Sequence, residues 1–136
     1  MNKIEGEPIY WPDSHVDRFE AGYDEFAIEV HQDISGSKIR YLVRCLGYIG
    51  FQMTGFWDEM IVESARLYDA HAFIAECETR VKSLPTIDSK ERLAEGNSML
   101  EILFIDGCML WVCPSRFSCE RFDGHSPVQK TPLVVQ

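Results

Sequence analysis

The chain has 136 residues, of which 46% are hydrophobic, and a formal net charge of −9. A chain of this length buries about two-thirds of its unfolded surface, so we predict a single domain over residues 1–136. A negative surface repels nucleic acid and anionic lipid, which disfavours direct binding to either and favours a basic protein as the partner.

The cellular compartment follows from what the sequence lacks. No run approaches the roughly 20 apolar residues that span a bilayer, and the first residues do not have the pattern of a signal peptide. The five cysteines are odd in number and lie mostly in apolar segments. We therefore predict a cytoplasmic protein without disulfides, and the sequence leaves its oligomeric state open.

The first 25 residues hold two prolines, two glycines and seven acidic residues. This composition predicts an extended acidic arm over 1–25, and the prolines of residues 123–136 predict a loosely held tail. Residues 1–37 hold nine acids against two bases, and residues 58–80 hold six against two. The acidic charge is therefore concentrated in two segments of the sequence.

Two β-hairpins are predicted. Around the loop 34–37, pairing Asp33 with Lys38 places apolar residues of both strands on one face, which predicts one buried face and one mixed face. The second hairpin is centred on Asp106-Gly107 between two apolar runs. Read as a two-residue turn, it pairs Ile105 with Cys108. Both of its faces are apolar, so both must be covered, and we place it at the centre of the sheet.

The remaining elements are assigned from the spacing of the apolar residues and from the positions of glycine and of helix-capping residues. Glycines in residues 47–57 indicate a bent strand. From Asp58 to Leu84 the apolar stripe changes phase, so we predict a break near Asp69, with a helix from Ala70 to Ser83 after it. The segment 60–68 fits a strand, with a helix as the alternative, and residues 115–122 fit a short edge strand. The predicted fold class is α+β, with a single curved, mostly antiparallel sheet of about five strands and one main helix packed on a face.

No catalytic or metal-binding motif is recognisable. Cys108, Cys113, Cys119 and His125 have unsuitable spacing for zinc, and the first two point to opposite faces of a strand. A pair of His71 and Cys77 assembled in space stays open, because such pairs are set by geometry. We predict no catalytic residue, no metal and no cofactor, and hence a protein that is not an enzyme.

The carboxylates are the remaining candidates for function. They could do acid–base work, form a solvated face that aids solubility, or dock a basic protein beside an aromatic anchor. The candidate partner-binding residues are Asp13, Asp17, Glu20, Asp24, Trp57, Asp58, Glu59 and Glu63.

In overall character, and through the segment Gly-Tyr-Ile-Gly-Phe-Gln-Met-Thr-Gly-Phe-Trp-Asp-Glu at 47–59, the chain resembles the immunity proteins of bacterial polymorphic and contact-dependent toxin systems. The resemblance implies non-catalytic binding to a cognate toxin domain, often a nuclease with a basic groove. Two alternatives stay open: a nucleic-acid-mimicking inhibitor of a defence complex, and a small enzyme or ligand-binding protein with a pocket between helix and sheet.

Overall fold

The structure is a computed structural model that describes residues 11–55, 60–84, 91–93 and 95–122, together with the backbone of residues 4–6. This part of the chain forms two β-sheets and one long helix. The elements in chain order are β1 (Ile4–Gly6), β2 (His15–Ala21), β3 (Glu25–Ile34), β4 (Ser37–Leu46), β5 (Phe51–Thr54), β6 (Val62–Tyr68), α1 (Ala72–Lys82), β7 (Met99–Phe104), β8 (Met109–Val112) and β9 (Arg116–Phe122).

The first sheet has the strand order β1-β9-β4-β3-β2 and the second has β5-β8-β7-β6. All pairings are antiparallel except that of β1 with β9. The two sheets share one core, to which Phe26 and Val43 contribute from the first sheet and Ile102 and Leu110 from the second. A mostly antiparallel α+β fold is therefore confirmed. The single five-stranded sheet is wrong, because the two predicted hairpins lie in different sheets.

The β3–β4 hairpin has the predicted register, with Asp33 opposite Lys38 and Phe26 opposite Cys45. One face is buried in the shared core, as predicted. The other face is more enclosed than its mixed composition indicates, since Leu42 has no exposed surface and Glu29 is only 6% exposed. Arg18 lies 3.5 Å from the Glu29 carboxylate and supplies its opposite charge.

The β7–β8 hairpin lies at the centre of its sheet, but its predicted register is wrong by one residue. Leu103 is opposite Met109, and the Phe104 N–H donates to the Cys108 carbonyl over 3.0 Å, so the loop has three residues. Gly107 takes the left-handed conformation (φ 90°) that closes such a loop. Asp-Gly suits both loop lengths because glycine supplies the positive φ in each.

This shift exchanges the two faces of β8. Leu110 and Val112 point into the shared core, whereas Trp111 and Cys113 lie on the outer face beneath α1. Both faces of the hairpin are covered, as its apolar pattern requires. The first sheet covers one face, and the helix covers the other.

The predicted helix exists but begins later than expected. It starts at Ala72, and His71, in place of Asp69, is its N-cap: the ring Nδ1 accepts a hydrogen bond from the Phe73 N–H over 3.0 Å. Segment 62–68 is a strand, as predicted. None of the helices in the described ranges is long and apolar enough to cross a bilayer.

The predicted N-terminal arm and edge strand are also wrong in part. Residues 15–21 form β2, which pairs with β3, and residues 4–6 form β1. Strand β9 is not at an edge, because it lies between β1 and β4. The predicted tail, 123–136, lies outside the described residues.

Candidate functional site

One edge of the first sheet is joined to the second sheet by backbone hydrogen bonds. The N–H of Asp13 donates to the Val62 carbonyl, and the N–H of Val62 donates to the Ser14 carbonyl, each over 2.8 Å. A third bond of 2.8 Å joins Val16 N–H to the Met60 carbonyl. The beginnings of β2 and β6 are therefore held together where the two sheets meet.

Four acidic residues lie along this junction. We call the set the acidic seam: Asp13, Asp17, Asp33 and Glu63. All four are exposed. Asp13 and Glu63 are brought together because each adjoins a residue of the backbone pair described above. Asp17 and Asp33 flank His31 on the neighbouring strand β3, at 2.7 Å and 3.6 Å respectively. Three separate segments of the sequence thus contribute to one acidic edge.

Two other predicted acids lie toward the opposite end of β2 and are compensated there. Glu20 is 3.5 Å from Arg18, and Asp24 is 3.0 Å from Arg92. The structure therefore places the predicted acids Asp13, Asp17 and Glu63 in the acidic seam, and it pairs Glu20 and Asp24 with arginines. Asp33, the fourth member of the acidic seam, was not predicted. The predicted residues Trp57, Asp58 and Glu59 lie outside the described residues.

Exposed apolar side chains adjoin the acidic seam. Ile34 follows Asp33 in the chain, and Ile105 donates its backbone N–H to the Ile61 carbonyl, one residue from the backbone pair. Each isoleucine side chain is 49% exposed. Apolar residues beside carboxylates are typical of protein interfaces, whose apolar centre is surrounded by polar groups.

A cleft of about 280 Å³ lies at the other end of the first sheet. Arg92, one of its lining residues, is committed to structural contacts: it donates to the carbonyls of Tyr48 and Tyr23 over 2.6 and 2.5 Å and to Asp24. Its guanidinium also lies 5.1 Å from the Tyr23 ring centre. Arg92 thus ties its own segment to the loops that contain Tyr23 and Tyr48.

Between helix and sheet the side chains pack tightly. Phe73, Ile74 and Cys77 of α1 are buried against Met99 and Cys113. A hydrogen bond between the two thiols lowers the pKa of Cys77 and raises that of Cys113, and burial adds to the second shift. Cys77 thus has a thiol partner.

The sequence left open a catalytic pair of His71 and Cys77, and the contacts of His71 bear on it. The Nδ1 of His71 caps the helix, and its ring packs on Trp111 with ring centres 4.9 Å apart. The imidazole therefore has a structural role at the start of α1. Cys108 and Cys113 lie in different clusters, as their predicted opposite orientations require.

Sequence reasoning missed one grouping of polar residues. His15 and His31 are cross-strand neighbours whose rings stack with centres 4.6 Å apart. The signal was hidden because residues 1–25 were assigned to an arm, so His15 had no predicted neighbour on β3. No family model, curated protein or solved structure matches this chain.

Proposed function

We propose that this protein is a non-catalytic inhibitor that binds a basic partner protein through the acidic seam. The observation that carries the proposal is a division of the exposed acids: among the described residues Asp13 and Glu63 of the acidic seam have no lysine or arginine in an ion pair, whereas Glu20 and Asp24 are paired with arginines. An uncompensated group of carboxylates projects a field into solvent, and a group paired with arginine projects much less. The acidic seam is the part of the described surface best suited to attract a basic protein.

The resemblance to immunity proteins suggests the identity of that partner. A toxin domain that cleaves nucleic acid needs a basic groove for its substrate, and the carboxylates of the acidic seam would compete there with phosphates. Ile34 and Ile105, each 49% exposed, would supply apolar contacts beside the charges. Trp57, Asp58 and Glu59 remain predicted contributors. We accordingly propose a cognate toxin domain as the partner, bound in the cytoplasm.

The test compares two variants with the same change in net charge. Asp13→Asn/Glu63→Gln removes two charges of the acidic seam, and Glu20→Gln/Asp24→Asn removes two charges that face arginines. Asp17 is left intact because it also contacts His31. Association with the co-purifying partner is measured by surface plasmon resonance at ionic strengths of about 0.01 and 0.15 M, where the Debye length falls from about 30 to 8 Å.

We expect the on-rate of the wild-type chain to fall at least about tenfold between the two ionic strengths. At low salt the acidic-seam variant should associate several-fold more slowly than the wild type, and the matched variant should be closer to the wild type. The bound chain should also block the partner's activity. Salt-insensitive association, or equal effects of the two variants, would contradict the proposal.

A further inference from the structure

Three metal-ligating side chains converge on the first sheet beside the acidic seam. His15, His31 and Asp33 each offer one ligand atom, and these atoms lie within 4.8 Å of one another. The cross-strand pairing of His15 with His31 places both imidazoles on one face, and Asp33 lies two residues further along β3 on that same face. The grouping is a product of strand register and is invisible in the linear spacing of the sequence.

A fourth residue orients the central imidazole. The Nδ1 of His31 lies 2.7 and 2.9 Å from the two carboxylate oxygens of Asp17. A carboxylate accepts hydrogen bonds, so Nδ1 carries the proton and Nε2 of the neutral ring keeps its lone pair. That nitrogen faces Asp33, whose carboxylate oxygen is 3.6 Å away. Metal-ligating histidines in proteins have this arrangement, with a carboxylate on the nitrogen that does not bind the metal.

We propose that His15, His31 and Asp33 bind one Zn²⁺ or a similar borderline divalent cation, with Asp17 as the residue that positions His31. Two imidazole nitrogens and one carboxylate oxygen are a ligand set that zinc uses when it keeps an open coordination position. Imidazole ligands favour zinc, copper, iron and nickel, whereas Mg²⁺ and Ca²⁺ need more oxygen ligands. This inference is independent of the proposed partner binding.

Binding requires one local movement. Zinc bonds of about 2.0–2.1 Å in a tetrahedral site place the ligand atoms about 3.4 Å apart. The ligand atoms of His15, His31 and Asp33 now lie within 4.8 Å of one another, so they must move closer together. The two rings are stacked with an angle of 3° between their planes, so their lone pairs lie in parallel planes. One ring must therefore turn. Asp17 holds His31, and His15 is the ring that turns about its side-chain bonds.

The charged groups around the site are compatible with a cation. On β4, Lys38 and Arg40 are opposite Asp33 and His31. Strand β3 lies between β4 and β2, so these two cations approach from the side away from His15 and Asp17. On the side of β2, the nearest charged groups are Asp17, whose carboxylate is on His31, and Arg18, which lies 3.5 Å from the carboxylates of Glu20 and Glu29.

The test titrates the purified full chain with ZnCl₂ under reducing conditions and measures binding by calorimetry. We expect one Zn²⁺ per chain, with His15→Ala, His31→Gln and Asp33→Asn each raising Kd at least about tenfold. Asp17→Asn should raise Kd about 10- to 100-fold while one ion still binds, as expected for a positioning residue. His71→Asn is the matched control, because it removes an imidazole elsewhere and keeps a side chain that can cap α1; its Kd should stay within about twofold of the wild type.

Two measurements on the wild-type chain avoid the question of whether a variant folds. In NMR spectra the imidazole signals of His15 and His31 should shift on addition of Zn²⁺ while those of His71 do not. Co²⁺ in place of Zn²⁺ should give a visible spectrum without a thiolate charge-transfer band. Absence of stoichiometric binding, a thiolate band, or loss of binding in His125→Asn but not in His15→Ala would overturn the proposal.

Discussion

Glu101 is the one charged residue in the two strands of the β7–β8 hairpin, and we predict that its replacement by alanine destabilises the protein. Its carboxylate accepts hydrogen bonds from the Trp111 indole N–H over 2.8 Å and from the Tyr68 hydroxyl over 3.1 Å. Trp111 in turn packs on Phe73 of α1, with ring centres 5.2 Å apart. Glu101 therefore fixes the aromatic surface on which the helix lies.

The magnitude follows from these two bonds. A hydrogen bond to a charged acceptor contributes about 1.5–3 kcal/mol. All three side chains are half-buried, so water can replace part of what is lost, and we expect Glu101→Ala to lower the free energy of unfolding by about 2 kcal/mol. For a chain of this size the melting temperature should fall by about 8 °C.

Urea unfolding followed by circular dichroism and tryptophan fluorescence measures this loss. The matched control is Glu95→Ala, since Glu95 is 62% exposed and 4.0 Å from Arg116, and it should change stability by less than about 0.5 kcal/mol. In a Trp111→Phe background, which keeps a ring but removes the indole donor, Glu101→Ala should cost about half as much. An equal cost in both backgrounds, or a loss no larger than that of the control, would refute the reasoning.

Three further predictions concern the packing and the thiols. Gly50→Ala should lower the free energy of unfolding by about 1–3 kcal/mol, because a Cβ there would lie 2.5 Å from the Cys77 sulfur. In urea unfolding, the loss should be smaller in a Cys77→Ala background, which provides space for the added methyl group. His71→Ala should cost about 1 kcal/mol through loss of the cap to Phe73, and His71→Asn should restore most of it in thermal unfolding. Burial raises the pKa of Cys45 above its ordinary value of 9.0, so above that pH the unfolded chain releases a proton that the folded chain keeps. The free energy of unfolding should therefore fall by up to about 1.4 kcal/mol per pH unit. A Cys45→Ala variant should show a shallower decline between pH 8 and 10.

The local pairing in the β3–β4 hairpin could be predicted because its side-chain alternation is regular. Shifting that register by one residue would turn over one of the two strands, which would expose either Phe26 or Val43 and bury charged residues instead, so the pattern selects one pairing. The β7–β8 hairpin has apolar residues on both faces, and a shift by one residue changes little in burial. Its register is set by the turn, and Asp-Gly does not distinguish two loop residues from three.

Strand β2 was missed for a different physical reason. A bulge between Val16 and Arg18 adds a residue to the strand, so Val16 and Phe19 both face the core although they are three positions apart. The alternation that identifies a strand is thereby interrupted. A similar irregularity occurs between Val62 and Ser64 in β6. Two of the three strands that contribute to the acidic seam, β2 and β6, are thus interrupted by bulges.

The number of sheets could not be predicted from the same pattern. Apolar residues on both faces of β7–β8 show that each face is covered, but the identity of each cover depends on pairings between distant segments. Strand β9 illustrates this, since residues 116–122 lie between β1 and β4 although they are far from both in sequence. Composition favoured an edge position for this segment, and the pairing places it inside the sheet.

The two proposals for the acidic edge share Asp17 and Asp33, but they can be separated through the residues that they do not share. Electrostatic steering depends on the charge of Asp13 and Glu63 and is indifferent to imidazole geometry, whereas cation binding depends on the lone pairs of His15 and His31. A bound divalent cation would add two positive charges beside Asp17 and Asp33, so it would weaken the attraction of a basic partner. The cation and the partner would then oppose each other through charge alone, and in a His15→Ala chain that opposition would disappear while the steering by Asp13 and Glu63 remained.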